Sequence, residues 1–261
     1  MTVHSQSGIS NTLLGAIGGG MLAALVLLVY FAGAIGGSSS GEEPSGDVYV
    51  SMGDSVAAGG GASDAHTVSF AALLATRREV TLFNVAQAGA ATRQVLDEQL
   101  SLVLPILGGD RVSFITISAG GNDFAALIPN AACTEDPRPA SCPLEETLAG
   151  VSARLDELLR LLRDANPRVP IVLVGYPNFF AGTGHAWEEP AGRVLPELVD
   201  AMRAVASRYE RVAVATPSFH EQSRGQPLTH VLDEPFDPHP NDAGHAIIAD
   251  AIEAALKEIG T

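Results

Sequence analysis

A serine and a histidine are the two side chains of this 261-residue sequence whose surroundings best suit nucleophilic chemistry. Ser55 ends the Gly-Asp-Ser triplet at 53–55, directly after the apolar stretch 48–52. His239 lies near the other end of the chain, with a proline on each side. A serine hydroxyl is a weak nucleophile near neutral pH unless a neighbouring base takes its proton. The pair therefore indicates acyl transfer through an activated serine.

Two more apolar stretches end in turns of small and polar residues. Residues 80–83 run into the turn that ends at Gly89, and residues 114–118 run into Gly-Gly-Asn-Asp at 120–123. In an open parallel sheet, the turns at the carboxyl ends of the strands lie at one edge, where ligands bind. We therefore expect these turns and the Ser55 turn to form one site.

Four blocks of the sequence resemble those of the GDSL, or SGNH, hydrolase family. They are the triplet at 53–55, the turn around Gly89, the segment 120–123 and His239-Pro240, and the resemblance covers roughly residues 48–259. It implies a flavodoxin-like α/β fold and a serine esterase or lipase that needs no metal or organic cofactor. It also implies that Ser55 is the nucleophile and His239 the base. The implied oxyanion donors are the backbone N–H groups of Ser55 and Gly89 and the side-chain amide of Asn122.

The acid that orients the histidine departs from the family's pattern. The family usually has an aspartate three residues before the histidine, where this chain has Phe236, and Asp237 follows one step later. Asp237 and His239 both precede prolines, which favours extended backbone, and residues two apart in extended backbone face the same side. We therefore predict that Asp237 orients His239. A backbone carbonyl near Phe236 is the alternative and would leave a Ser–His dyad.

Two polar residues beside these blocks are predicted to have structural roles. We expect Asp123 to cap the helix that follows it and His245 to be a packed or exposed helix residue. Other enzyme signatures are missing: residues 53–57 lack the second glycine of the Gly-x-Ser-x-Gly elbow, and no zinc-binding His-Glu-x-x-His motif is present.

The rest of the chain alternates strand-like and helix-like patterns. The predicted strands are 48–52, 80–83, 114–118, 171–175 and 212–215, and the predicted helices are 69–76, 92–100, 145–163, 190–209 and 242–259. Interleaved in this way, they predict a three-layer α/β/α sandwich around a five-stranded parallel sheet. The family resemblance implies the strand order 2-1-3-4-5.

The N-terminal segment has the composition of a membrane-targeting sequence. Residues 13–35 carry no charge, and about 20 apolar residues are enough for a helix to cross a bilayer. We expect a transmembrane helix at 13–35 after a short tail at 1–12. A signal peptide cleaved near the small residues 32–34 is the alternative. Residues 36–47 form a Gly/Ser-rich linker and 48–261 the hydrolase domain, which either reading places outside the cytoplasm, anchored to the cell membrane or secreted.

The two cysteines agree with an extracytoplasmic compartment. Cys133 and Cys142 lie in a polar, proline-rich stretch, and we expect them to form a disulfide. Two unpaired buried thiols are the alternative, whereas a metal site is disfavoured because no histidine lies near them in sequence.

The charge limits the classes of partner. Residues 1–46 hold two of the 30 acidic residues and no Lys or Arg, so the remainder has 28 acidic and 15 basic residues, a net charge of −13. Such a surface argues against nucleic acid as a partner and leaves a small-molecule or lipid ester as the expected substrate. Two alternative functions stay open: a membrane-tethered, non-catalytic binding protein with the same fold, and a carbohydrate deacetylase.

Overall fold

The sheet has the predicted number, direction and order of strands. The structure, a computed structural model, describes residues 47–133, 135, 138–219 and 225–261. Within them, five parallel strands pair in the order β2-β1-β3-β4-β5, which confirms the expected order. The strands are β1 (Val48–Gly53), β2 (Thr81–Asn84), β3 (Val112–Ser118), β4 (Ile171–Val174) and β5 (Val212–Ala215).

Within the described residues, four of the five predicted helices are present, one is broken into shorter turns, and one short helix was not predicted. The helices are α1 (Phe70–Arg77), α2 (Thr92–Gln94), α3 (Leu100–Val103), α4 (Gly121–Phe124), α5 (Leu144–Ala165), α6 (Glu188–Ala206) and α7 (Asp242–Glu258). The single helix predicted at 92–100 is instead α2, a π turn (Val95–Gln99), α3 and a 3-10 turn (Leu104–Ile106). The π turn ends at Gln99, whose buried side chain hydrogen-bonds to the backbone of β1, a contact that helical periodicity does not reveal.

Alternating side chains of the central strands build two cores, one on each face of the sheet. On one face, Val50 and Met52 of β1 pack with α5 and α6. On the other face, Tyr49 packs with α1 and α7. Successive side chains of a strand point to opposite faces, so a strand that is apolar at every position is covered on both sides. The result is the predicted three-layer sandwich.

Cys133 and Cys142 form a disulfide, as predicted. The two cysteines are nine positions apart in the sequence and lie in the segment between α4 and α5. The predicted membrane helix at 13–35 and most of the predicted linker lie outside the described residues. The described helices include no candidate membrane span.

Candidate active site

Gly53 makes the sharp turn that ends β1 and precedes Ser55. Its φ is +136°, and a Cβ added there would lie 2.1 Å from the carbonyl oxygen of Ser118 in β3. The Gln99 side chain accepts a 2.8 Å hydrogen bond from the Gly53 N–H and donates another of 2.8 Å to its carbonyl. Only glycine fits this turn, which carries the partly exposed Ser55 out of the sheet at its carboxyl edge.

Asp54, in the middle of the triplet, faces the interior. Its carboxyl group accepts a short hydrogen bond from the Tyr176 hydroxyl and a 3.0 Å bond from the Val56 N–H. The Ser118 hydroxyl lies 3.3 Å away. Burial raises the pKa of Asp54, although these hydrogen bonds oppose the shift. Asp54 therefore fixes the serine turn to the end of β4, where Tyr176 follows the strand.

Backbone pairing holds the histidine segment in place. The His230 N–H donates to the His239 carbonyl at 3.0 Å, and the Asn241 N–H donates to the Leu228 carbonyl at 3.0 Å. Asn241 also caps α7, because its side-chain oxygen accepts from the Gly244 N–H. These bonds fix the backbone at His239 and directly after it.

The structure brings Ser55, His239 and Asp237 into one hydrogen-bonded chain. The Nε2 atom of His239 lies 2.7 Å from the Ser55 Oγ, and its Nδ1 lies 2.5 Å from the Asp237 Oδ1. An ionised carboxylate only accepts hydrogen bonds, so the proton belongs on Nδ1, and Nε2 is free to accept the serine proton. Partial burial opposes ionisation of Asp237, but hydrogen bonds from the His239 backbone and ring outweigh it, so the pKa of Asp237 lies below its ordinary value.

Two glycines after Ser55 allow the histidine ring to approach the turn. A Cβ at Gly60 would lie 2.9 Å from the His239 Cδ2, and one at Gly61 would lie 2.8 Å from the His239 Cβ. His245 supports the same turn: its Nδ1 accepts from the Phe70 N–H at 3.3 Å and its Nε2 donates to the Gly60 carbonyl at 3.0 Å. His245 is fully buried and is a packed helix residue, one of the two outcomes predicted for it.

The two remaining sequence blocks, the turn around Gly89 and the segment 120–123, lie against each other, and Gly89 and Asn122 are exposed. Gly89 has φ +81°, and its turn is tied to β1 by a 3.0 Å bond from the Gln87 N–H to the Gly53 carbonyl. The Asn122 amide donates a 2.9 Å bond to the Ala90 carbonyl, beside Gly89. Within the described part of the chain, the N–H groups of Ser55 and Gly89 have no hydrogen-bond acceptor. Both are therefore available to a negatively charged oxygen.

The prediction that Asp123 caps the helix that follows it is wrong. Asp123 lies inside α4, whose N-cap is Gly120, and its carboxylate binds the N–H and hydroxyl of Thr92 at 2.9 and 2.8 Å. Arg154 of α5 donates to the same carboxylate at 2.9 Å. Asp123 therefore caps α2, which belongs to another part of the chain. Sequence alone could not show this, because the partner is close only in the folded protein.

Sequence reasoning also missed Tyr176, although a signal for it was present. Tyr176 lies two residues after the end of β4, at the same carboxyl edge as the turns that carry the other site residues. Its ring packs against Gly121, where a Cβ would lie 2.5 Å from the ring. One side chain thus touches both the serine turn and the block that carries Asn122. In the portion of the chain with assigned structure, no group of three or more His, Cys, Asp or Glu residues is arranged to hold a metal ion.

The sequence matches a family model and two curated lipases. Residues 51–247 match the model of the GDSL-like lipase/acylhydrolase family. A lipase of Streptomyces rimosus is 31% identical over 150 residues, which cover 51% of this chain and 53% of that protein. Lipase 1 of Streptomyces coelicolor is 29% identical over 180 residues, which cover 62% of this chain and 64% of that protein.

A solved structure shares the fold. The crystal structure of an extracellular lipase from Streptomyces rimosus superposes with a TM-score of 0.61 and 22% identity, over 80% of this chain and 99% of that one. The chain spans between about half and two thirds of the length of the curated relatives that it matches in sequence. On the family match over residues 51–247, which is most of its length, the chain belongs to the GDSL-like lipase/acylhydrolase family.

Proposed function

We propose that this protein is a serine hydrolase that cleaves carboxylic esters through an acyl-enzyme. The observation that carries the proposal is the unbroken hydrogen-bond chain from Asp237 through His239 to Ser55. Membership of a family of lipases and acylhydrolases supports the same reaction. The unbroken series of hydrogen bonds argues against the alternative of a non-catalytic binding protein with the same fold.

In the first half-reaction, the Ser55 Oγ attacks the ester carbonyl carbon while the His239 Nε2 takes the serine proton. The carbonyl oxygen becomes negatively charged and is stabilised by the N–H groups of Ser55 and Gly89 and the amide of Asn122. When the tetrahedral intermediate collapses, the bond to the alcohol oxygen breaks, and His239 passes its proton to the leaving alcohol. The acyl group stays on Ser55.

In the second half-reaction, water attacks the acyl-enzyme. His239 takes a proton from the water and returns one to Ser55 as the acid leaves. Asp237 holds the ring in the orientation in which Nε2 faces Ser55 and stabilises the charge that the ring gains. The loss of one oxyanion donor typically lowers turnover by about 10²–10³, and we expect that result for Asn122→Ala.

We place the reaction outside the cytoplasm, in a hydrolase domain of residues 48–261. The Cys133–Cys142 disulfide supports an oxidising compartment. The Streptomyces rimosus lipase that shares the fold is an extracellular protein, which supports secretion as one route. The uncharged segment 13–35 provides the other route, as a membrane anchor.

Hydrolysis of p-nitrophenyl acetate by the full-length chain tests the proposal. We expect turnover that Ser55→Ala abolishes, whereas Ser101→Ala, which changes an exposed serine of α3, leaves it intact. A folded protein that hydrolyses neither this ester nor longer ones would instead support the binding protein.

The triad is tested by a matched pair of aspartates on one loop. Asp237 binds His239, and Asp233 binds a second histidine, His230, with 2.6 Å between its Oδ2 and the His230 Nδ1. We expect Asp237→Asn to lower kcat/KM by about 10²–10⁴ because the ring loses its orienting acceptor. Asp233→Asn should have little effect. Equal activities for the two variants would favour a Ser–His dyad.

A further inference from the structure

The loop that carries Asp237 exposes two large apolar side chains. Among the residues that the structure describes, the exposed large hydrophobic side chains are Leu104, Leu232 and Phe236, at 38%, 64% and 44%. Leu232 and Phe236 precede Asp237 in one loop. Leu104 lies elsewhere, in the turn that follows α3 and precedes the start of β3. An exposed apolar group beside a reaction centre indicates a binding surface more often than an isolated one does.

Phe236 belongs to a compact group of four rings, here called the aromatic cluster: Phe180, His185, Trp187 and Phe236. Phe236 stacks on His185 at 5.3 Å between ring centroids and meets Trp187 edge-on at 5.8 Å. Phe180 stacks on His185 at 5.0 Å and meets Trp187 edge-on at 5.7 Å. These offset and edge-on arrangements are the favourable ones for aromatic pairs. The cluster is therefore a fixed surface, although Phe236 remains exposed.

The cluster is joined to the reaction centre from two directions. Three of its rings lie on the connection between β4 and α6, which also carries Tyr176, the donor to Asp54. The fourth ring, Phe236, directly precedes Asp237. The two segments are also linked to each other, because the Thr229 hydroxyl donates to the Phe179 carbonyl at 3.1 Å.

We infer that the aromatic cluster binds the apolar hydrocarbon group of the ester substrate. This inference rests on the proposed function. The cluster exposes a ring at the position where the family usually has an aspartate, so the displacement of the acid to Asp237 leaves position 236 free for an apolar contact. Each methylene group removed from water contributes about 0.8 kcal/mol, which corresponds to about 4-fold in kcat/KM.

The experiment measures kcat/KM for two ester series with the full-length chain. In the first series the acyl group lengthens from acetyl to decanoyl on p-nitrophenol; in the second the alcohol lengthens from ethyl to decyl on acetate. The slope of log kcat/KM against chain length is a ratio between esters, so it does not depend on the active fraction of a variant. The variants are Phe236→Ala and Phe236→Leu, with Leu104→Ala as an exposed hydrophobic control outside the cluster.

We expect the wild-type kcat/KM to rise by up to about 4-fold per methylene in at least one series. Phe236→Ala should flatten that slope, Phe236→Leu should retain more of it, and Leu104→Ala should leave it unchanged. The series whose slope is lowered by Phe236→Ala shows whether the acyl half or the alcohol half of the ester contacts the cluster.

A slope that is absent from the wild type in both series, or identical in wild type and Phe236→Ala, overturns the inference. In that case the proposed function still stands if Ser55-dependent hydrolysis of p-nitrophenyl acetate is present. A folded wild-type protein that does not hydrolyse p-nitrophenyl acetate would overturn both this inference and the proposed function.

Discussion

The Tyr176 hydroxyl donates a short hydrogen bond to the buried carboxyl group of Asp54, one residue before the serine of the site. Burial and the neighbouring Asp54 both raise the pKa of Tyr176, so the phenol keeps its proton and remains a donor. The same ring packs against Gly121, next to Asn122. Tyr176 therefore contacts both the turn that carries Ser55 and the block that carries Asn122, and we expect it to position the two relative to each other.

Tyr176→Phe keeps the ring but removes the donor. We expect kcat to fall roughly tenfold with a smaller change in KM, because Tyr176 positions Ser55 without touching the substrate. The free energy of unfolding should fall by about 1–3 kcal/mol, since the buried Asp54 loses a partner. Urea unfolding and steady-state kinetics measure both effects.

The single variant Asp54→Asn and the double variant Tyr176→Phe/Asp54→Asn supply the control. If the two groups interact, the double variant is less destabilised than the sum of the single variants. Additive losses would mean that the hydrogen bond contributes little.

Gly60→Ala adds one carbon atom beneath the histidine ring. The new Cβ would lie 2.9 Å from the His239 Cδ2 and 2.9 Å from the Ser55 carbonyl, too close without movement of the ring. A displacement of about 1 Å can cost about 10² in rate, so we expect kcat/KM to fall by at least tenfold. Gly108→Ala is the matched control, because its Cβ would meet nothing within 4 Å. Equal activities of the two variants would contradict the proposed ring placement.

His245 makes the stability of the fold depend on pH. Its burial lowers its pKa below the ordinary 6.5, although the hydrogen bond to the Gly60 carbonyl opposes the shift. Below about pH 6.5 the unfolded chain therefore binds a proton that the folded chain does not, and the free energy of unfolding falls as the pH drops from 6.5 toward the folded pKa.

His245→Gln removes this titration. As the pH falls below 6.5, we expect the free energy of unfolding of the wild type to decrease by up to about 1.4 kcal/mol per pH unit more than that of the variant. Urea unfolding of both proteins at pH 7.5 and 5.5 measures the difference. Parallel pH profiles would show that His245 does not titrate between these values.

Reduction of the Cys133–Cys142 disulfide should lower stability. The bond closes a loop with a sequence separation of nine, for which the chain-entropy model gives about 2–3 kcal/mol. Urea unfolding with and without dithiothreitol measures the loss, and a Cys133→Ser/Cys142→Ser double variant should not respond to the reductant. A wild type whose unfolding is unchanged by full reduction would contradict the prediction.

Local sequence patterns were enough to predict the class of fold and the residues available for chemistry. Alternating apolar strands and amphipathic helices are local patterns, and they predicted the five parallel strands of the sheet. Chain order placed Ser55, Gly89 and Asn122 after consecutive strands, and parallel strands bring such turns to one edge. The prolines on either side of His239 led to the prediction that Asp237 reaches the ring, and the two side chains are hydrogen-bonded in the structure.

Which groups meet across the sheet could not be predicted from the sequence and depends on the folded backbone. The contacts of Tyr176 with Asp54, of Gln99 with Gly53 and of Asp123 with Thr92 join segments that are distant in sequence. Hydrogen bonds and van der Waals contacts act over a few ångströms, so a partner is fixed only when the folded backbone brings the two atoms together. For the same reason, the ring of Phe236 becomes part of an aromatic cluster only in the folded chain.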